Sequence, residues 1–209
     1  MANHKIKNIL FDMGGILFIQ DTQEAIRRFS SFGIDTDKYM GKYGQKDFFL
    51  DLEDGLIDCK EFCRRMTLAT GRGHISEEEA SYCWLGYIDK VPVERLKALE
   101  ELREDYRLGL ASNTNPFVMN YMDSPAISPE GRGISSYFDW LFTSYTMGGC
   151  KPSREYFEKA IAMGNLIPEE TLFVDDSIKN VEGARACGIH GLHIEHNVDW
   201  RPSLHAYLA

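Results

Sequence analysis

The chain has 209 residues and a formal net charge of −9, from 23 Lys+Arg against 32 Asp+Glu. That balance argues against a nucleic-acid binder, which needs a basic face to neutralise phosphates, but not against a small anionic substrate held by local donors. Hydrophobic residues at 44% and charged residues at 26% are ordinary globular values and argue against disorder.

In chain order, Ile6–Phe11 reads as a buried strand. The apolar stretch Ile9–Ile19 is broken by Asp12 and Gly14-Gly15, so it is too short to span a bilayer, and no cleavage pattern follows it. The expectation is a cytoplasmic protein with neither membrane nor nucleic acid as partner, a monomer or a homodimer. From Gln20 to Pro92 no strand pattern appears. Amphipathic helices are expected at Thr22–Phe32, Asp37–Tyr43, Gln45–Leu52, Lys60–Ala69 and Glu77–Ile88, the last opened by a Ser76/Glu79 capping box. Pro92 marks the return from this stretch.

Four more short apolar runs follow, at Arg107–Ala111, Trp140–Thr143, Thr171–Val174 and Gly191–Ile194. Little alternation in most of the runs is the pattern of parallel strands covered on both faces. Helices are expected at Val93–Asp105, Arg154–Met163 and Asn180–Cys187, so strand and helix alternate. The segment Asp123–Ser136, with two prolines and two glycines, reads as a surface loop. The fold class is α/β: a doubly wound, Rossmann-like parallel sheet from 1–19 and 93–209, with a small all-α insert at 20–92.

Several features favour bland readings. The five cysteines (Cys59, Cys63, Cys83, Cys150, Cys187) form no C-x-x-C pair and read as reduced thiols rather than a zinc site. His190 and His193 would fall on opposite faces of a strand, so with His196 they make no metal cluster. Phe48, Phe49, Phe62, Trp84 and Tyr87 sit at helical spacing and read as core of the insert, and Tyr145 and Met147 as structural. Glu53-Asp54-Gly55 reads as a turn, either solvated or closing over a leaving group.

Ligands of parallel sheets bind at the carboxyl ends of the strands. There stand Asp12-Met13-Gly14-Gly15, then Ser112-Asn113, then Lys151, then Asp175-Asp176. Paired acids suit Mg²⁺, a hard cation that takes oxygen ligands. With Mg²⁺ and Lys151 as positive groups, a phosphoryl group is the natural guest, and Asp12 could attack phosphorus to form an aspartyl-phosphate.

These four motifs, in this order and with a helical insert after the first, resemble the haloacid dehalogenase superfamily. The resemblance covers nearly the whole chain. It implies Asp12 as nucleophile, Ser112 and the backbone N–H of Asn113 as donors to the phosphoryl oxygens, and Lys151 as the charge that neutralises them. It also implies a Mg²⁺ held by the Asp12 side chain, the Gly14 carbonyl and Asp176, with Asp175 direct or through water, and an insert that acts as a mobile cap.

One position departs from the pattern. Phosphatases of the superfamily usually carry a second Asp two residues after the nucleophile, as general acid; here it is Gly14. General acid catalysis typically contributes 10²–10⁴-fold. Either another acid near the substrate substitutes, with Asp21 at the entrance of the insert as the candidate, or the leaving group needs little help, as at a sugar anomeric oxygen, or the protein is a weak or inactive member. Gly14, the Ser-Asn-Thr-Asn run at 112–115 and the Phe-Val-Asp-Asp-Ser-x-x-Asn run ending at Asn180 resemble the α-glucose-1-phosphatase-like subgroup. The expected function is a Mg²⁺-dependent phosphatase of a small phosphorylated metabolite, such as a sugar phosphate. The alternatives are a 2-haloacid dehalogenase, which also lacks the second Asp, and a weakly active or non-catalytic binding protein of the same fold.

Overall fold

Alternation along the short strands separates two apolar layers. Ile9, Phe11, Leu108, Leu110, Leu172 and Val174 face one side, whereas Leu10, Ala111 and Phe173 face the other. Both sides are therefore buried, which is why these runs read as nearly continuous apolar sequence.

The computed structural model describes residues 6–41 and 44–209. Strand β1 (Asn8–Phe11) leads through a tight turn to β2 (Ile19–Gln20). Next come α1 (Thr22–Ser31), α2 (Thr36–Tyr39), β3 (Met40–Gly41), β4 (Gly44–Gln45), α3 (Phe48–Glu53), α4 (Cys59–Thr70), α5 (Glu77–Trp84) and β5 (Ile88–Lys90). The rest runs α6 (Val93–Leu102), β6 (Arg107–Ser112), α7 (Pro116–Met122), β7 (Trp140–Thr143), α8 (Ser144–Met147) and α9 (Arg154–Gly164). It closes with β8 (Thr171–Asp175), α10 (Ile178–Ala186), β9 (His190–His193) and α11 (Arg201–Leu208). The five long strands form one parallel sheet in the order β7-β6-β1-β8-β9, with β1 at its centre.

The α/β class and the parallel sheet are as the sequence implies. The insert, however, is not purely helical. Strands β2 and β5 pair antiparallel, tying its entry to its return, and β3 pairs with β4. Strands of two or three residues are too short to show a period in the sequence. The helix expected over Asp37–Tyr43 is observed as Thr36–Tyr39 before β3, and Lys42 and Tyr43 lie outside the described residues. The helix expected over Glu77–Ile88 ends at Trp84 and tightens into a 3-10 turn, and its Ser76/Glu79 capping box is formed. Asp123–Ser136 is not a simple surface loop, because 3-10 turns there bury Ile127 and Ile134.

Insert and sheet share one apolar cluster. Phe29, Phe49, Phe62 and Trp84 pack ring to ring inside the insert, and Phe62 meets Phe117 of α7 at 5.8 Å between centroids. Each such pair contributes about 0.5–1.5 kcal/mol beyond area burial.

The turn after β1 is also held from the far end of the chain. Buried Arg95 donates from Nη1 to Ile16 O at 2.7 Å and from Nη2 to Asn197 O at 2.9 Å. Asn197 in turn accepts from Gln20 N at 2.8 Å and donates to Gln20 O at 3.1 Å. Trp200 packs on Phe11 at 4.9 Å. Among the described residues, no helix is long and apolar enough to cross a membrane.

Candidate active site

Register places the chemistry. Phe11 stands level with Leu110 on one side and Val174 on the other. One residue further, Asp12 comes level with Ala111 and Asp175, and Ser112 lies one step beyond. The Asp12 N–H still bonds to Val174 O at 2.9 Å, so the nucleophile candidate leaves the sheet on a fixed backbone. Strands β6 and β8 each run one residue longer than the sequence suggests, so Ser112 and Asp175 end their strands.

Lys151 reaches the same point from the turn before α9. Its Nζ donates to Asp12 Oδ1 at 2.9 Å, Asp175 Oδ2 at 2.7 Å and Ala111 O at 2.7 Å, which uses all three protons. Burial alone would push the ammonium's pKa down; the charges of Asp12 and Asp175 outweigh it and hold the pKa above the usual lysine value. The Asn113 side chain fixes the lysine's backbone, with Oδ1 accepting from Lys151 N at 2.8 Å and Nδ2 donating to Lys151 O at 2.9 Å. That side chain is therefore committed to holding Lys151, and the backbone N–H of Asn113 is left for a guest.

Asp12, Asp175 and Asp176 offer oxygens that all lie within 4.8 Å of one another, the single cation-ready group of acids and histidines among the described residues. Burial and the nearby Asp12 charge push the Asp175 and Asp176 carboxyls upward, against the pull of Lys151 and His196. A cation would relieve that crowding. The two acids differ. Asp175 is wholly buried and saturated, accepting from Lys151, from Ser177 N at 2.7 Å and from Asn180 Nδ2 at 3.2 Å. Asp176 is bonded through Oδ2 to His196 Nδ1. Gly15 allows this approach: its φ is +77°, and a Cβ there would lie 2.4 Å from Asp176 Oδ2.

Gly14 bridges to Phe18 across the turn. A Cβ at Gly14 would lie 2.5 Å from Gln20 Oε1, so the glutamine amide fills the space where a side chain would begin.

A cavity of about 100 Å³ opens beside this turn, with Met13, Gly14, Gln20, Glu53, Ser112 and Asn113 in its wall. Ser112 is 1% exposed, and its hydroxyl has only a 3.5 Å contact to Asn113 O, which leaves it available. A larger cavity of about 450 Å³ adjoins the first. The same five residues, Gln20, Gln45, Glu53, Tyr87 and Asn113, line both.

Glu53 was legible only as part of a turn. It is the last residue of α3, 9% exposed, and burial pushes its carboxyl up to about 8, with the Asp54 charge adding to the effect. Gly55 sets its position. With φ of +71°, its missing Cβ would fall 2.1 Å from Tyr145 O, so the loop lies flat against that carbonyl. Asp21 is placed elsewhere: it caps α1, with Oδ1 accepting from Glu24 N at 2.9 Å, and it lines neither cavity.

The remaining readings sort simply. His190 contacts Glu169 O at 3.1 Å, whereas His193 contacts Asp176 O at 3.0 Å and His196 bonds the Asp176 carboxylate, so the three histidines share no common point. All five cysteines are free thiols. Tyr145 supports Gly55, and Met147 is buried. Sequence reasoning passed over Gln20, Arg95 and the use of Asn180. Only Asn180 carried a local signal, five residues after the Asp175 carboxylate that it holds.

Known proteins share this fold. The chain matches the haloacid dehalogenase-like hydrolase family over residues 6–188. It is 38% identical over 200 residues, 95% of this chain and 97% of the other, to a D-ribitol-5-phosphate phosphatase of Bacteroides thetaiotaomicron. A HAD-like family hydrolase from Porphyromonas gingivalis superposes with a TM-score of 0.92 at 35% identity, covering 97% of this chain and 98% of that one. A HAD family enzyme of B. thetaiotaomicron, solved with magnesium and inorganic phosphate, superposes at 0.85 with 29% identity over 95% of this chain and 98% of that one. Fold, strand-end residues and relatives agree: the chain belongs to the haloacid dehalogenase-like hydrolases.

Proposed function

We propose that the chain is a Mg²⁺-dependent phosphatase of a small polyol or sugar phosphate, working through an aspartyl-phosphate on Asp12. The observation that carries this reading is the three-carboxylate group closed by a buried lysine at the strand ends. Three acids so close favour a cation, which disfavours a metal-free dehalogenase. The similarity to a ribitol-phosphate phosphatase supports the substrate class.

In this reading Asp12 and Asp176, with the Gly14 carbonyl, hold Mg²⁺, and saturated Asp175 acts from behind them. The cation would supply positive charge to the phosphoryl oxygens. Lys151 holds Asp12 in position through its bond to Oδ1. Ser112 Oγ and the Asn113 N–H donate to the transferring group, where charge develops. The insert at 20–92 serves as the cap, covering the reacting group and shaping the outer cavity for the alcohol.

The test is phosphate release from a panel of polyol, sugar and aryl phosphates, with and without Mg²⁺. Release that needs Mg²⁺ and disappears in Asp12→Asn is expected. Release that survives chelation, or Asp12→Asn protein that keeps turning over, would overturn the reading.

A further inference from the structure

A polyol phosphate loses a primary alkoxide, which is a strong base. Its departure needs a proton donor, and Gly14 supplies none. Beside Gly14 stands Gln20 Oε1, and an amide has no acidic proton to give. It must come from another wall of the site.

The cavities narrow the choice. The inner one lies against Gly14, Ser112 and Asn113, the groups assigned above to the cation and the phosphoryl oxygens, and the outer one has room for the alcohol. The bridging oxygen of a bound ester then lies where the two meet. Among the described residues lining both, Gln20, Gln45, Glu53, Tyr87 and Asn113, one is a carboxylic acid. Resting on the phosphatase reading above, we infer that Glu53 is the general acid, delivered by the insert in place of a side chain at position 14.

The surroundings suit that role. The charged and titratable groups that act on Glu53 or feel its charge are Asp54 on its own segment, the Tyr87 phenol and the Cys150 thiol. Burial pushes Tyr87 and Cys150 far up, so both stay neutral, and no cation is among the influences on Glu53. A carboxyl raised to about 8 carries its proton at neutral pH.

The step balances. An Asp12 carboxylate oxygen bonds to phosphorus as the phosphorus–alkoxide bond breaks, and the Glu53 proton passes to the departing oxygen, which leaves as alcohol. The Glu53 carboxylate then takes a proton from water as the water oxygen attacks phosphorus. Asp12 departs as carboxylate, phosphate is released, and Glu53 is again protonated.

The test compares wild type, Glu53→Gln and Glu53→Asp in Mg²⁺, using D-ribitol 5-phosphate and 4-nitrophenyl phosphate, whose leaving group is a weak base. For Glu53→Gln, kcat/KM on the ribitol ester should fall about 10²–10⁴-fold, and on the aryl ester by about tenfold or less. With the aryl ester, phosphorylated Asp12 should accumulate, because its hydrolysis lacks a base. The alkaline fall of the wild-type ribitol profile should vanish in Glu53→Gln, and Glu53→Asp should recover part of the rate. Equal losses on both esters, or no loss on either, would overturn Glu53 as the acid while leaving the phosphatase reading intact. Wild-type protein that releases phosphate from neither ester would overturn both.

Discussion

Lys151 Nζ lies 2.7 Å from Asp175 Oδ2, and neither side chain reaches solvent. With Asp12 on the other side at 2.9 Å, the lysine closes a buried cluster that no single residue can leave cheaply. Removing one partner of a buried pair costs about 3–5 kcal/mol, because the other charge stays behind unpaired. Lys151→Met should therefore lower unfolding stability by about that much, read by urea denaturation, as well as abolish turnover. A loss of activity with unchanged stability would show that the cluster is not held together by charge.

Gly55 should be the tightest position of the insert. In Gly55→Ala the methyl cannot stand 2.1 Å from Tyr145 O, so the segment carrying Glu53 must lift. Gly71→Ala is the control, since its φ of +66° is similar but nothing lies near its Cβ. Both should lose about 1–2 kcal/mol from the left-handed backbone alone. Only Gly55→Ala should also lose kcat/KM; equal kinetic effects would contradict this placement.

Stability should depend on pH through Glu53. Its carboxyl is raised in the folded protein, from 4.5 to about 8. The folded form therefore binds this proton more tightly than the unfolded chain does. That contribution is full below about pH 4.5 and is lost as pH rises through about 8. Glu53→Gln never loses it. The stability gap between variant and wild type should shift toward the variant by a few kcal/mol between pH 5 and pH 9, measured by denaturation at each pH. A gap that stays constant would mean that Glu53 titrates normally.

Asp21 should behave as a helix cap. Asp21→Ala should cost about 1 kcal/mol, whereas Asp21→Asn, which keeps an acceptor for the Glu24 N–H, should cost little. Thermal melts of the two variants distinguish this from a role in which the charge itself matters, where Asn would be as costly as Ala.

Much of this was legible because chemistry and strand ends coincide. Asp12, Ser112, Asp175 and Asp176 each stand at or just past a short apolar run, the sheet brings those ends together in register, and Lys151 reaches them from the turn before α9. The insert was legible as helices from amphipathic spacing, but its two antiparallel pairs were not, since pairs such as Met40↔Gln45 carry no period. Asp21 was a natural guess for the missing acid because it follows closely on Gly14, but its position at a helix start commits it to capping. Glu53 lines both cavities beside Gly55, which lies flat on Tyr145, a contact across 90 residues of chain that no local pattern announces.

The tether from Arg95 and Asn197 changes how the gene should be cut. The family match stops at residue 188, before Asn197 and Trp200. A fragment trimmed to that border would retain every proposed catalytic residue. It would nonetheless free the Gln20 backbone and uncover Phe11, the residue before the nucleophile. Asn197 and Trp200 are scaffolding for the stretch from Phe11 to Gln20, so expression designs and fusions should keep the two segments together.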